Sequence, residues 1–285
     1  MKKIDIHIHP KPDSDPTLDD YVRIMDEHDV EAALVHATPA DLWGPPAHSG
    51  EALGGSLKPQ PDPTDDVVVL AACEKHPGRL YGSCHIDLRE APERNVRKIE
   101  RYAAAGFKCV KMFPNLGFDP NDEIHEPVWE AIERHGLACL SHCGFVAYGL
   151  DTGRTRLSSL TASPFHFEIP ARRHPGINFI FAHFGGGATY LETITLCERF
   201  DNCFADCCRG WGQWVWEHRM PGLEDFPMDK FLYGTDNLGE AYSQDEQWWT
   251  ELLTDMGRTD EELALFFYGN AARILGISYL EEGRG

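Results

Sequence analysis

The sequence predicts an α/β chain folded as a single (β/α)8 TIM barrel, and three features predict it. Eight short apolar runs of strand length alternate with segments of helical periodicity. The 285 residues fit the roughly 250 that such a barrel needs, with little left over. Polar side chains able to hold a metal recur at the C-terminal ends of the apolar runs, where this barrel carries its active site. No internal repeat, low-complexity tract or linker divides the chain, so residues 1–285 read as one domain.

The first strand lies in residues 2–10, Lys-Lys-Ile-Asp-Ile-His-Ile-His-Pro. Ile4, Ile6 and Ile8 alternate with Asp5, His7 and His9, the side-chain period of an extended chain. Both imidazoles therefore leave on one face, which helical spacing would not allow. Pro10 cannot donate to a ladder and ends the strand there. Thr17 with Asp20 is a capping box, and Leu18, Tyr21, Val22 and Met25 follow at helical spacing. The second strand, 31–37, centres on Ala32-Ala33-Leu34-Val35. Residues 38–63 hold six prolines and four glycines with little periodicity, a long loop that is either a lid or a surface excursion. A helix at 65–76 leads to a strand at 79–85, then to a helix at 92–105 with Pro92 in its first turn and Gly106 just past its end. Strands at 107–113, 137–142, 177–183 and 202–206 alternate with helices at 121–135, about 165–174 and 188–200. The Trp-rich stretch 211–218 reads as helical, 231–236 is the eighth strand, and 243–275 holds the closing helices.

A formal charge of -20 argues against nucleic acid or an anionic membrane as partner, because phosphate binding needs clustered Lys and Arg and there is no such cluster. An anionic substrate would need a local cation. The start has no apolar run of signal-peptide length and no later window approaches 18 uninterrupted apolar residues, so a cytoplasmic protein is expected. The nine cysteines lack Cys-x-x-Cys spacing, and Cys109 and Cys139 fall within expected core strands. The adjacent Cys207 and Cys208 have redox activity as an alternative, but reduced, structural thiols are the reading for all.

The strand ends are polar where a core should be apolar. The first ends in His7 and His9, the fifth in His142, the sixth in His183 before Gly185-Gly186-Gly187, and the eighth in Asp236 after Gly234-Thr235, while the fourth carries Lys111. Any one strand-end His is more often a hydrogen-bonded structural group than a ligand. Four histidines and an aspartate that the fold brings onto one ring point to a common site. The remaining histidines, among them His36, His76, His135 and His174, are unassigned.

At these residues the chain resembles the amidohydrolase superfamily, and within it the amidohydrolase-related branch of metal-dependent hydrolases and of decarboxylases of aminocarboxymuconate semialdehyde and resorcylate. The resemblance runs from Asp5-Ile6-His7-Ile8-His9 through Ser141-His142, Ala182-His183-Phe184-Gly185-Gly186 and Tyr233-Gly234-Thr235-Asp236 to Gly269-Asn270-Ala271-Ala272-Arg273-Ile274-Leu275. It implies that His7, His9 and His142 ligate one divalent cation with Asp236 as ligand or acid/base, and that His183 faces the substrate. Imidazoles with a carboxylate suit Zn²⁺ first, and also Mn, Fe, Co or Ni. In binuclear relatives a fourth-strand lysine is carboxylated between two metals, but a charged Lys111 gripping a substrate carboxylate, or plugging a barrel layer, is simpler. One departure is that Asn237-Leu238 follow Asp236 where many relatives continue towards a Pro.

The expected activity is hydrolysis of an ester, lactone or amide by metal-activated water, with Asp236 moving the proton and His183 stabilising the oxyanion. Decarboxylation of a small aromatic or unsaturated acid is the alternative. Arg154, Arg209 and Trp211 are candidate substrate groups, because arginine forks bind carboxylates and indoles stack on rings. Trp-rich rims also pack against partner subunits, so a homo-oligomer, with a dimer favoured, is expected. A scaffold that merely holds metal would have no use for Asp236 and His183 as extra acid/base groups.

Overall fold

The computed structural model describes residues 1–9, 17–38, 66–145, 158–208, 210–236 and 242–277. The strands are β1 (Lys3–Ile8), β2 (Val30–His36), β3 (Leu80–His85), β4 (Cys109–Met112), β5 (Ala138–Ser141), β6 (Phe179–Phe181), β7 (Cys203–Asp206) and β8 (Phe231–Leu232). They pair in that order and every pairing is parallel. Two backbone hydrogen bonds join the last segment to the first: Ile6 N–H donates to Tyr233 O (3.1 Å) and Asp236 N–H to His7 O (2.7 Å). The chain is thus a (β/α)8 barrel, and the second of those bonds sets residue 236 beside residue 7.

Between and after the strands run α1 (Leu18–Glu27), α2 (Asp66–Lys75), α3 (Pro92–Ala104), α4 (Glu126–Arg134), α5 (Glu168–Arg173), the four-residue turn α6 (His183–Gly186), α7 (Tyr190–Arg199), α8 (Trp211–Glu217), α9 (Tyr242–Asp255), α10 (Asp260–Ala264) and α11 (Asn270–Leu275). The expected capping box opens α1: Thr17 Oγ1 accepts from Asp20 N, and Asp20 Oδ2 accepts from Thr17 N at 3.1 Å. Two expected helices are each broken. Residues 121–135 divide into a 3-10 turn, Glu123–His125, and α4, and residues 165–174 into the turn Pro164–Phe167 and α5. Pro127 and Pro170 lie in the first turns of α4 and α5, and neither has an N–H to bond back into the preceding turn. From residue 39 onward the expected 38–63 loop lies outside the described residues.

Two apolar clusters show how the barrel is filled. Leu34, Cys109, Leu140, Ile180, Phe204 and Leu232 fill the inside, whereas Tyr21, Met25, Val35, Val110 and Phe181 pack between strands and helices. β1 breaks the simple alternation. Ile4 and Ile6 belong to the inner cluster but Ile8 to the outer one, and the pairing with β2 shifts register between Asp5 and Ile8. This irregularity re-aims side chains as a bulge does, so His7 joins the inner face although its neighbour Ile6 already occupies it. Trp216, expected near the rim, is instead buried and stacked on Phe231 (ring centroids 4.5 Å apart). Among the described residues no helix is long and apolar enough to cross a membrane.

Candidate functional site

Asp5 anchors the irregular stretch of β1. Its Oδ1 accepts from His7 N (3.0 Å) and Thr235 N (3.1 Å), and its Oδ2 from Thr235 Oγ1 (2.6 Å), Tyr242 Oη (2.8 Å) and Tyr21 Oη (3.2 Å). Burial pushes this carboxyl up to about 7 against the pull of those donors. One buried side chain so ties the ends of β1 and β8 to α1 and α9.

Beyond it the ligand atoms converge. His7 Nε2 lies 3.1 Å from His9 Nε2, and Asp236 Oδ1 lies 3.6 Å from the first and 3.7 Å from the second. Donors about 2.0–2.1 Å from a tetrahedral zinc ion stand roughly 3.4 Å apart, so the triangle has the dimensions of a cation site. Each imidazole has an outer partner: Asp206 Oδ2 lies 2.7 Å from His7 Nδ1, and Thr38 Oγ1 lies 2.9 Å from His9 Nδ1. Burial, followed by the charge of Lys111, holds both histidines well below their ordinary pKa, in the neutral form that binds metal. Asp236 takes a left-handed φ of 56°, a strained conformation for a non-glycine residue that its N–H bond to His7 O helps to hold. Burial raises its pKa.

His142 stands just past β5, outside this triangle, with its ring 4.8 Å from that of His183 and 5.7 Å from that of Phe113. Its Nε2 is buried and has no hydrogen-bond partner among the described residues, which suits a further donor to a cation. Lys111 Nζ is buried 2.9 Å from His7 Nε2 and 5.0 Å from the Phe113 ring centroid, and burial lowers its pKa. His183 opens the turn α6, where His183 and Phe184 take φ values of 55° and 50° before three glycines. Its N–H donates to Asp206 Oδ1 (2.7 Å), and its Nδ1 lies 3.1 Å from Cys208 Sγ. Trp211 begins α8, half exposed, and packs where a side chain on Gly187 would stand. Arg154 and Arg209 lie outside the described residues, as do Asn237 and Leu238.

Four residues of this ring escape the sequence reading. His36 ends β2 with its ring 5.1 Å from that of His7, and His85 ends β3 with Nε2 buried and lacking a partner among the described residues. Asp206 ends β7, and Cys208 lies two residues on with its thiol donating to Asp206 Oδ1 (2.9 Å). The signal was available for three of them, since a polar residue closes each of these strands. All nine cysteines are free, as expected, and eight are buried, but Cys208 is part of the site as well as of the core.

A family model described as amidohydrolase matches residues 4–277. Among curated proteins none matches the chain. Among solved structures, an uncharacterised TIM-barrel protein from Bordetella bronchiseptica superposes with a TM-score of 0.71 at 13% identity, covering 97% of this chain and 99% of its own. A probable 2-pyrone-4,6-dicarboxylic acid hydrolase from Acinetobacter baumannii, with citric acid bound, gives 0.61 at 14% identity over 97% and 100% of the two chains. A 2,6-dihydroxybenzoate decarboxylase from Rhizobium gives 0.63 at 14% identity over 97% and 99%. At such identities the likeness shows a shared fold.

Proposed function

The chain belongs to the amidohydrolase family, and on that premise we propose that it is a metal-dependent hydrolase cleaving an ester, lactone or amide bond of a small, carboxylated or cyclic substrate. The observation that carries this reading is the triangle of His7 Nε2, His9 Nε2 and Asp236 Oδ1, 3.1 to 3.7 Å on a side, at the mouth of the barrel. We assign to it one divalent cation, zinc before Mn, Fe, Co or Ni, with His142 as a further donor. Such a cation supplies Lewis acidity and can lower the pKa of a water from 15.7 to about 7.

The chain's own groups do the rest. Asp236, whose side chain is a quarter exposed and whose pKa burial raises, takes the proton from the attacking water and returns it to the leaving group. His183 faces the substrate and donates to the oxygen on which negative charge develops. Lys111 provides the local positive charge that a carboxylated substrate needs in a protein of formal charge -20. Arg154 and Arg209 would serve the same carboxylate, and Trp211 would stack on a ring. Trp211 and Trp214, 45% and 36% exposed, support a homodimer.

Decarboxylation of a small aromatic acid is the second reading, favoured by the fold shared with the 2,6-dihydroxybenzoate decarboxylase. Asp236 or His183 would then protonate the carbon that loses CO₂. Metal analysis of the purified protein, before and after chelation, should find about one equivalent of divalent metal, lost in His7→Ala. No metal in either protein, with the two otherwise alike, would remove the enzyme reading. A panel of lactones, amides and aromatic acids, with bicarbonate release followed in parallel, separates the reactions. Bicarbonate from an aromatic acid with every lactone and amide inert would reverse the preference.

A further inference from the structure

We propose that Asp206 is a positioning residue that makes His7 a metal ligand, by holding its imidazole in the tautomer protonated on Nδ1. This role rests on the cation assigned above to His7. Asp206 is fully buried at the end of β7, and both its carboxylate oxygens are engaged. Oδ1 accepts from His183 N (2.7 Å), Cys208 N (3.2 Å) and Cys208 Sγ (2.9 Å). Oδ2 lies 2.7 Å from His7 Nδ1. A carboxylate has no proton to give, so the proton in that contact belongs to Nδ1. The Cys208 sulfur, at 3.2 Å, is the longer contact to the same nitrogen, and its own hydrogen is directed at Oδ1.

With Nδ1 protonated in a neutral ring, the lone pair must sit on Nε2. Nε2 is the atom that faces His9 Nε2 at 3.1 Å and Asp236 Oδ1 at 3.6 Å. Lys111 Nζ, 2.9 Å away, is placed to donate into that same lone pair. The opposite tautomer would direct a hydrogen into the triangle and close it to a cation. Through Oδ1 the same carboxylate fixes the backbone of His183 at its left-handed φ of 55°, so one side chain sets both the metal side and the substrate side of the ring.

Asp206→Asn separates this role from simple packing, because it preserves shape. Three donors converge on Oδ1, so the carboxamide oxygen must take that position and the NH₂ group must face His7 Nδ1. His7 would then accept at Nδ1 and carry its proton on Nε2. The test is ¹⁵N NMR on metal-free, ¹⁵N-histidine-labelled protein, with His7 assigned by the signal lost in His7→Gln, beside titration of the same samples with Co²⁺. The parent should show the Nδ1–H tautomer, and Asp206→Asn should show Nε2–H together with Co²⁺ affinity lowered about 10- to 100-fold.

A parent with Nε2–H, or a variant whose tautomer or Co²⁺ affinity is unchanged, overturns the proposal. If Asp206→Asn does not fold, the parent's tautomer decides alone. Failure of the parent to take up Co²⁺ overturns the cation assignment, and is told apart because the tautomer is read without metal.

Discussion

His7, His9, His36 and His142 are each held well below the ordinary imidazole pKa, with burial the largest cause, so the strand ends present uncharged nitrogen donors at neutral pH. Lys111 is the cation among them, and its two possible roles separate experimentally. As a substrate group it can be replaced without loss of metal: Lys111→Met should keep about one equivalent while raising KM for a carboxylated substrate roughly tenfold or more, the worth of a charge-assisted hydrogen bond. Metal content halved in the variant, from two equivalents in the parent, would instead identify a bridging lysine. His85 makes a prediction about pH. Burial holds it down to about 3 from an ordinary 6.5, so the unfolded chain takes up this proton while the folded chain does not. The stability it contributes is present above 6.5 and is lost as pH falls from there towards 3. Unfolding free energy should therefore decline with acidification over that window, and His85→Gln should flatten the slope by about one proton. An identical slope in the variant would show that His85 is charged in the fold. The same strand-end rule that singles out His7, His142, His183 and Asp236 applies to His36, His85 and Asp206. They escaped because a terminal His or Asp on an apolar run looks like an ordinary polar boundary until its neighbours across the barrel are known.

At the scale of elements, the strands were legible and their ends less so. Period and apolar runs report burial, whereas a strand stops where its ladder stops. Thus the expected eighth strand, 231–236, pairs with β7 only over Phe231–Leu232, and the remainder leaves that ladder for bonds to β1 and to Phe266 O, in the turn Leu265–Gly269 between α10 and α11. Likewise the expected sixth strand ends at Phe181, because His183 and Phe184 take left-handed backbone angles. The glycines after them have a reason that sequence alone does not display. A Cβ on Gly186, at φ 76°, would stand 2.5 Å from Gly144 Cα and against Cys143 O, so the loop leaving β6 passes backbone to backbone against the loop leaving β5. Gly106, at φ 90°, has nothing within 4 Å. Gly106→Ala should accordingly cost about 1 kcal/mol from its backbone angle alone. Gly186→Ala should cost more, roughly 2–4 kcal/mol, and displace His142 and His183 along with the loops. Chemical denaturation of the two variants checks this, and equal losses would mean that the loops are not packed against one another. β1 holds the remaining lesson. Alternation foresaw that His7 and His9 share a face, but the register shift after Asp5, which brings His7 to the face that Ile6 already occupies, depends on donors to Asp5 from Tyr21 and, far away in sequence, from Thr235 and Tyr242.

For the molecule as a whole, closing the barrel is what creates the site. Asp236 meets His7 because the last segment bonds to the first, and Asp206 meets both His7 and His183 because β7 lies between β6 and β8. A cation that binds only the closed barrel must then stabilise it. At a free concentration 100 times its Kd the gain is about 2.7 kcal/mol, so chelation should lower Tm by roughly 5 °C or more, and His9→Gln should abolish that difference. The strongly acidic surface leaves the inward-facing Lys111 as a focus of positive charge. The most direct test of the account is anomalous diffraction at the zinc edge from crystals of the zinc-loaded protein. It should give a single full-occupancy peak about 2.0–2.2 Å from His7 Nε2, His9 Nε2 and a carboxylate oxygen of Asp236. A peak away from those three atoms, or none at full zinc loading, would contradict it.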